Sequence, residues 1–242
     1  AGDGRDGLAA MTLHRLGVHA AKAWFFQGDT VVCLGAGIRA DDQAAPLVTT
    51  LEQCWARGDV TRGDGWARHN GVTYHQLGDG TFRAETTPRN GSWRTMDRLQ
   101  GSTRKVEGEI FTAWIEHGAT PATYAYLVEV SNGGAAPRVL VNTENIQAVA
   151  SAASELVQIV FRKPASLTLP DKLRIDADQP CLVQLRRPIG AASWSLSVGN
   201  PAHRVGDVQI TLTIASDTKT ITFAFPDSPF AGQPQTRTLA FP

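Results

Sequence analysis

The chain has 242 residues, enough to bury one large core or two smaller ones. Hydrophobic residues make up 42% of it and charged residues 19%, and 23 Lys and Arg balance 23 Asp and Glu. This balance gives no global basic field that would indicate nucleic acid or bulk attraction to an acidic polymer. No apolar run approaches the roughly 20 residues of a membrane helix. We therefore expect a soluble protein without nucleic-acid or membrane partners, in which local residues make any contact with a polyanion.

Short runs rich in Val, Ile, Thr and aromatic residues, separated by Gly, Pro, Asp and Asn turns, predict strands along almost the whole chain. The first strand pair turns at Gly28 and Asp29, while residues 9–21 have the propensity of a helix. Further strands are predicted at 31–34, 71–74, 112–115, 124–130, 156–161, 181–185, 193–198, 208–214 and 219–225. Their spacing is typical of a β-sandwich and predicts an all-β fold.

A change in the strand pattern predicts a domain boundary near residues 163–166. Strands before it are longer and rich in aromatic residues, and segments after it are shorter and interrupted by prolines. We therefore expect a large antiparallel β-sandwich over residues 1–163, followed by a smaller C-terminal β-sandwich over 164–242. Residues 142–153 are the one segment between them that favours a short helix or a loop.

Three cysteines, Cys33, Cys54 and Cys181, are widely spaced and lie within or beside strand-like runs. Their odd number and the lack of a C-x-x-C pair argue against a disulfide framework and against zinc. Buried free thiols are expected, and a bridge between Cys33 and Cys54 is not predicted.

Several motifs recur along the chain in an order that resembles a known family. The chain resembles the polysaccharide lyases that cleave chondroitin, hyaluronan and xanthan, and most of all the chondroitin AC lyases. The matching blocks lie at 22–38 (K-A-W-F-F-Q-G-D-T-V-V-C-L-G-A-G-I), 49–53 (T-T-L-E-Q), 66–74, 90–93, 111–121 (with W-I-E-H-G), 123–126 (T-Y-A-Y), 139–149, 178–181, 225–226 and 230–232. The resemblance covers nearly the whole chain and implies the same two sandwiches. It also makes residues 9–21 a strand, and part of 142–153 as well.

The resemblance implies an enzyme that removes the proton next to a uronate carboxyl and expels the glycosidic oxygen, which requires a neutralised carboxylate, a base and an acid. In the family these roles belong to an Asn, a His, a Tyr and an Arg on an α/α toroid that precedes the β region. No residue of this chain aligns with them, so no catalytic residue is predicted here and the chain alone is expected to be inactive. No metal or organic cofactor is implied.

The expected role of the chain is to form one wall of the cleft for an acidic polysaccharide, chondroitin or hyaluronan, and to support the toroid. The resemblance further implies a secreted or periplasmic protein. Residues 1–7 are polar and Gly-rich, suggest a piece of something longer, and are expected to be disordered or held by the toroid. The alternative is a free-standing carbohydrate-binding or adhesion module without catalysis.

The chain also carries residue types that could act as its own acids and bases. In the purely structural interpretation, Tyr124 and Tyr126 are a core pair on one strand face, and His69 and His117 are turn residues. The candidate bases are His14, His19, His69, His75, His117 and His203, and the candidate acids are Tyr74, Tyr124 and Tyr126.

Trp93 is the tryptophan that the strand pattern demands least, since it lies in the turn at 90–94. Its ring could stack on a sugar, while the guanidinium of Arg94 binds a carboxylate or sulfate. Trp93 and Arg94 are therefore the predicted carbohydrate-binding residues. In the competing interpretation, Trp93 packs back across the edge of the sandwich.

Two weaker motifs favour structural interpretations. Gly35-Ala-Gly37 resembles half of a dinucleotide fingerprint but lacks the third glycine and the following helix. The acidic residues of 41–42 and 171–178 lack the regular ligand spacing of a calcium loop, so solvated turns are expected and no metal site is predicted.

Overall fold

The computed structural model describes residues 1–42, 46–118, 121–130, 134–202 and 206–240. These residues form twenty strands, all paired antiparallel, and a single-turn helix α1 (Trp93–Met96). The prediction of an all-β fold made of a large sandwich followed by a C-terminal sandwich is confirmed. The candidate base His203 lies outside the described residues.

The first half of the chain forms a seven-stranded sheet and a three-stranded sheet. The seven-stranded sheet contains, in spatial order, β1 (Gly7–Arg15), β2 (Val18–Gln27), β3 (Thr30–Ala40), β10 (Ala122–Glu129), β7 (Val72–Gln76), β6 (Trp66–His69) and β5 (Val60–Gly63). The three-stranded sheet contains β4 (Val48–Trp55), β9 (Val106–Glu116) and β8 (Thr81–Gly91).

The second half forms a six-stranded sheet and a four-stranded sheet. The six-stranded sheet contains, in spatial order, β11 (Arg138–Asn142), β12 (Ile146–Ala150), β13 (Leu156–Phe161), β16 (Cys181–Arg186), β17 (Ser193–Gly199) and β20 (Gln235–Ala240). The four-stranded sheet contains β14 (Ala165–Thr168), β15 (Arg174–Ala177), β18 (Asp207–Ile214) and β19 (Asp217–Ala224).

The four sheets stack as layers, in the order three-stranded, seven-stranded, six-stranded and four-stranded. Shared hydrophobic clusters join each layer to the next: Ile115 with Tyr124 in the first pair, Phe25 with Val160 in the second, and Ile159 with Ile210 in the third. The central strands of the two middle sheets are therefore covered on both faces, so that β13 is buried at all six positions. Such strands are continuous apolar runs, as the sequence has them, because neither face meets water.

The hydrogen-bonded sheets divide the chain around residues 134–137. The predicted boundary at 163/164 falls between β13 and β14, yet β13 pairs with β16, so the six-stranded sheet continues on both sides of it. The boundary at 163/164 stays a prediction about folding units.

Two local expectations are settled by the strands. Residues 9–21 lie in the hairpin of β1 and β2, so the strand interpretation is right and helix propensity is overridden by pairing. The helix or loop expected at 142–153 is wrong over its centre, because residues 146–150 form β12 between two partner strands. Alanines in that segment fit a strand because four of its five residues are buried between layers.

The glycines at 35 and 37 lie inside β3 and serve its packing. A methyl group at Gly35 would come within 2.1 Å of Cε1 of Tyr124, so only glycine leaves room for that ring. Gly37 has a φ of +61°, which a residue with a side chain rarely adopts.

Amide side chains of the six-stranded sheet bind backbone carbonyls of the seven-stranded sheet. Asn142 Nδ2 donates to the carbonyls of Gly35 and Tyr124 at 3.1 and 2.9 Å, next to a register shift between β3 and β10. Gln147 Nε2 donates to the carbonyl of Ala21 at 3.3 Å, next to a second shift between β2 and β3. Because a bulge disrupts the ladder, these carbonyls would otherwise be buried without a partner.

Gln158 belongs to the same amide network and, like Gln147, has no exposed surface. Its Nε2 lies 2.8 Å from the carbonyl oxygen of Gly7 and 2.9 Å from Oε1 of Gln184, and its Oε1 accepts from Gln27 Nε2 at 3.0 Å. Since water cannot replace these partners, the network fixes how the two sandwiches sit against each other.

The first seven residues are held by the second sandwich, contrary to expectation. Arg186 at the end of β16 pairs with both Asp3 and Asp6, and its Nη2 lies 2.7 Å from Asp3 Oδ2. Burial of the Asp3 carboxylate opposes its ionisation, but hydrogen bonds from the Asp6 backbone N–H and from Arg186 outweigh burial, so the pKa of Asp3 is lowered. The sequence did not indicate this ion pair, because Asp3 and Arg186 are 183 residues apart.

All three cysteines are free thiols, as predicted. Cys33 and Cys181 are buried, and burial raises the pKa of their thiols to about 11 and about 12. Cys54 is partly exposed, and its Sγ lies 3.5 Å from Nδ1 of His69. Cys33 and Cys181 therefore behave as small core hydrophobes.

Replacing Gln158 with leucine should lower the free energy of unfolding by about 1–3 kcal/mol, because it strands Gln27, Gln184 and the Gly7 carbonyl inside the interface. Urea unfolding followed by circular dichroism measures the change. Gln209→Leu is the control, since Gln209 is exposed on β18 and should change stability by less than about 0.5 kcal/mol. Equal losses in the two variants would contradict a structural role for the network.

Candidate functional site

A compact loop joins β8 to β9 at the free end of the three-stranded sheet. It starts with α1, and Asp97 then organises the turn, because Oδ1 accepts hydrogen bonds from the backbone N–H groups of Leu99 and Gln100 at 3.0 and 3.1 Å. The N–H of Arg94 donates to the Ser102 carbonyl at 3.0 Å and closes the loop. These bonds give the segment 92–105 a defined shape without burying it.

Arg94 holds this loop together. Its Nη1 donates to the carbonyls of Arg98 and Leu99 at 2.8 and 3.0 Å. The sequence predicts Arg94 as an anion ligand, but this nitrogen is already engaged with the chain's own backbone. The geometry therefore gives Arg94 a positioning role for its neighbour Trp93.

Large apolar side chains on this loop face solvent. Trp93 is 66% exposed, Met96 82% and Leu99 88%. The ring of Trp93 therefore does not pack back across the sandwich edge. It borders an open cleft of about 250 Å³, whose lining is Trp55, Arg89, Asn90, Gly91, Ser92, Trp93, Met96 and Val106.

The surroundings of the cleft are basic, although the chain as a whole is neutral. Between residues 89 and 105 there is one carboxylate, Asp97, against five cations. The cations are Arg89, Arg94, Arg98, Arg104 and Lys105, of which Lys105 pairs with Glu107. A local field of this sign favours anionic groups at the cleft.

Trp55, the last residue of β4, forms the second aromatic wall, and sequence analysis missed it. Its position fits a strand pattern, so nothing in the local sequence indicates an exposed ring. In the structure, 44% of the residue is exposed. The ring lies across Gly108 of β9, where a methyl group would come within 2.1 Å of Cζ3. A glycine diagonally across on the neighbouring strand, two residues from Ile110, the register partner of Trp55, is the signal that could have found it.

The candidate tyrosine acids lie inside the first sandwich. The rings of Tyr124 and Tyr126 are 5.6 Å apart between the seven- and three-stranded sheets, as the core-pair interpretation predicts. Tyr74 donates its hydroxyl to Glu52 Oε2 at 2.9 Å. Burial raises the pKa of all three hydroxyls, so these groups are poor proton donors at neutral pH.

The described candidate histidines occupy separate places. Nε2 of His19 lies 3.0 Å from Asp41 Oδ1, with the ring of His14 stacked on it, and Nε2 of His75 lies 3.4 Å from Glu129 Oε2. His69 is the last residue of β6 and not a turn residue: its ring is buried against Phe111, and its Nε2 accepts the N–H of Arg57 at 3.0 Å. They are therefore not brought together into one acid–base group.

His117 is a candidate base that lies next to a cavity. It is 9% exposed and borders a cavity of about 620 Å³ together with Glu116 and Thr81. Nε2 lies 2.8 Å from Thr49 Oγ1, while Nδ1 is buried without a hydrogen-bond partner among the described residues. Burial lowers the pKa of His117, so that the neutral ring is favoured.

Acidic turns that could have held calcium are engaged with cations or backbone. Asp171 pairs with Arg187, Asp176 pairs with Arg174, and Asp178 accepts the N–H of Gln209 at 2.7 Å. Within the described ranges, no group of three or more His, Cys, Asp or Glu side chains could hold a metal ion. In the same ranges no helix has the length and apolar character to cross a membrane.

Comparison with known families settles the family. Residues 1–133 match the super-sandwich domain of polysaccharide lyase family 8, and residues 138–209 match the C-terminal beta-sandwich domain of the same family. The chain belongs to polysaccharide lyase family 8. The two family 8 domains meet at residues 134–137, where the sheets also divide.

Individual relatives agree with the family 8 assignment. Chondroitinase-AC of Pedobacter heparinus is 30% identical over 95% of this chain, and a hyaluronate lyase of Thermasporomyces composti is 27% identical over 78%. A solved chondroitinase AC lyase superposes on 97% of the chain with a TM-score of 0.85 and 29% identity. The chain spans 36%, 28% and 38% of the lengths of these three proteins, so it corresponds to about a third of a family 8 lyase.

The buried His117 should make stability depend on pH. Because its pKa is lower when folded than when unfolded, the protein should lose stability as pH falls below about 6.5, by at most about 1.4 kcal/mol per pH unit. His117→Gln should reduce this slope between pH 6.5 and 5, as measured by urea unfolding at each pH. Gln209→Leu, a change at an exposed position that removes no titratable group, should keep the wild-type slope. An unchanged slope in His117→Gln would contradict the assignment.

Proposed function

We propose that the intact protein containing this chain is a polysaccharide lyase that cleaves a uronate-containing glycosaminoglycan, chondroitin in the first place and hyaluronan in the second. The observation that carries the proposal is the similarity to Chondroitinase-AC along 95% of the chain. The weaker similarity to a hyaluronate lyase keeps hyaluronan as the second substrate.

The reaction is a β-elimination. A base removes the proton from the carbon next to the uronate carboxyl, the electrons form a carbon–carbon double bond, and the glycosidic oxygen leaves with a proton from an acid. Neutralising the carboxylate lowers the cost of the carbanion-like transition state. In our proposal the residues for these steps lie on the α/α toroid, because the candidate tyrosines and histidines that the structure describes do not form such a set.

The chain itself supplies structure and substrate contact. Its rigid layers form one wall of the parent protein's substrate cleft and support the toroid. Trp93 stacks on a sugar. Arg94 contributes by fixing the Trp93 loop, and its remaining guanidinium surface adds positive charge nearby. We propose a secreted or periplasmic location, since a polymeric substrate is too large to enter a cell.

The second candidate function is a free-standing carbohydrate-binding or adhesion module. The exposed aromatic cleft between Trp55 and Trp93 favours it, because such a cleft needs no catalytic partner. A toroid encoded immediately upstream in the same gene would exclude this alternative. A self-contained reading frame with its own secretion signal would support it.

The parent protein should release unsaturated uronate from chondroitin sulfate, and the purified 242-residue chain should not. The reason is that the described part of the chain shows no assembled set of acid, base and carboxylate-neutralising group. The ultraviolet absorbance of the product, measured with chondroitin, hyaluronan and xanthan, checks both statements and ranks the substrates. Sustained product formation by the pure chain would contradict the proposed division of labour.

In the parent protein this chain should contact the toroid region. In isolation it should associate with itself, because the surface that would seat against the toroid is then uncovered. We expect an interface of more than roughly 1,000 Å² in total, the lower range for stable contacts. Light scattering of the chain at increasing concentration, compared with the parent, is the measurement. A chain that stays monomeric at all concentrations would instead favour the free-standing module.

A further inference from the structure

We propose that Trp55, Arg89 and Trp93 form a subsite for one anionic sugar ring on the outer face of the three-stranded sheet. The class of ligand, an acidic polysaccharide, rests on the proposed function. The subsite differs from the predicted pair of Trp93 and Arg94, because it adds a second ring and assigns the anion to another arginine.

Trp55 provides a fixed aromatic surface. Its indole lies across Gly108, and the absence of a side chain there allows the ring to contact the sheet backbone directly. The supporting sheet lies beneath the ring, so the exposed 44% of the residue faces the cleft and solvent. A ring held in place this way offers contact area without losing side-chain freedom when a ligand binds.

Arg89 lies beside this ring. In the β8–β9 register Arg89 is the direct partner of Gly108. Trp55 belongs to β4, the other neighbour of β9, and its ring covers the same glycine. Across the ranges that the structure describes, Arg89 enters no ion pair, whereas Arg83, on the same strand and face, is bound to Glu116 at 3.2 Å. Its fork of N–H donors is suited to a carboxylate or sulfate.

Trp93 lines the same cleft from the loop that follows β8. Its backbone begins α1, and Arg94 anchors the loop that follows through the carbonyls of residues 98 and 99. The two tryptophans therefore border one space of about 250 Å³ from different elements. A sugar ring placed there meets apolar surface on its faces and the guanidinium at its edge.

Charge decides in favour of an anionic ligand. Between residues 89 and 107, five cations lie against two carboxylates, Asp97 and Glu107, in a chain whose formal net charge is zero. A neutral sugar would make no use of this excess, while a uronate or sulfate gains from it at low ionic strength. The occupant to which we commit is therefore the acidic polysaccharide.

The test measures binding of a chondroitin sulfate oligosaccharide to the 242-residue chain by tryptophan fluorescence and calorimetry. Trp55→Ala and Arg89→Gln should each weaken binding about tenfold. Gly108→Ala should weaken it as well, because the methyl group displaces the ring while every charge is kept. Arg83→Gln removes the same charge from the same strand and should stay within about twofold.

Two further arms make the outcome decisive. A neutral dextran oligosaccharide should bind at least about tenfold more weakly than the acidic one, and added salt should weaken only the acidic ligand. Arg89→Lys should recover part of the loss, since it restores the charge but not the fork. Circular dichroism verifies that each variant is folded, and Arg89, being exposed on the surface, can be replaced without disturbing the core.

Several results would overturn the subsite. These are unchanged affinity in both Trp55→Ala and Arg89→Gln, equal losses in Arg83→Gln and Arg89→Gln, or equal binding of dextran. A wild-type chain that binds no sugar, with Trp55 shielded in the parent, would mean that polypeptide covers the cleft. If the parent cleaves chondroitin while these variants bind normally, the subsite alone fails. If the parent cleaves none of the polymers while the variants lose binding, the lyase proposal alone fails.

Discussion

The structure depends on the contact between the two middle sheets, where amide side chains satisfy backbone carbonyls next to irregular strand pairing. Asn142, Gln147 and Gln158 reach from the six-stranded sheet to carbonyls of β1, β2, β3 and β10. Arg162 joins them through Gln147 Oε1 and the Lys22 carbonyl, at 2.9 and 2.8 Å. Hydrophobic contact alone would permit sliding of one sheet over the other, but directional hydrogen bonds in a dry interface fix one arrangement.

This interface determines where function can be located. Because it buries the central strands of both middle layers, the surface that a ligand can reach lies on the outer sheets, the loops and exposed edge strands such as β1. The three-stranded sheet is the outer layer farthest from the C-terminal sandwich, and its inward face carries the core residues Phe111 and Ile115. Its outward face is left for polar groups and for the aromatic cleft. The second sandwich thus supports a site that it does not touch.

The candidate site shows which kinds of information the sequence lacked. Trp93 was identified because a turn gives a tryptophan no strand role, and its ring is exposed. Arg94 was assigned to a ligand because charge is visible in sequence, whereas its bonds to the carbonyls of residues 98 and 99 depend on loop geometry. Trp55 and Arg89 were missed, since their proximity comes from the register of β4 and β8 on either side of Gly108.

The sequence by itself determined the all-β fold, the family motifs and the core pairing of Tyr124 with Tyr126, because alternation and turn residues are local properties. It did not determine the layer order, the use of Gln158 as a buried donor, or the attachment of residues 1–7 to Arg186. Those features join residues more than a hundred positions apart, and only the tertiary structure decides which strand faces meet. The physical reason is that a side chain's role follows from the surface it is packed against.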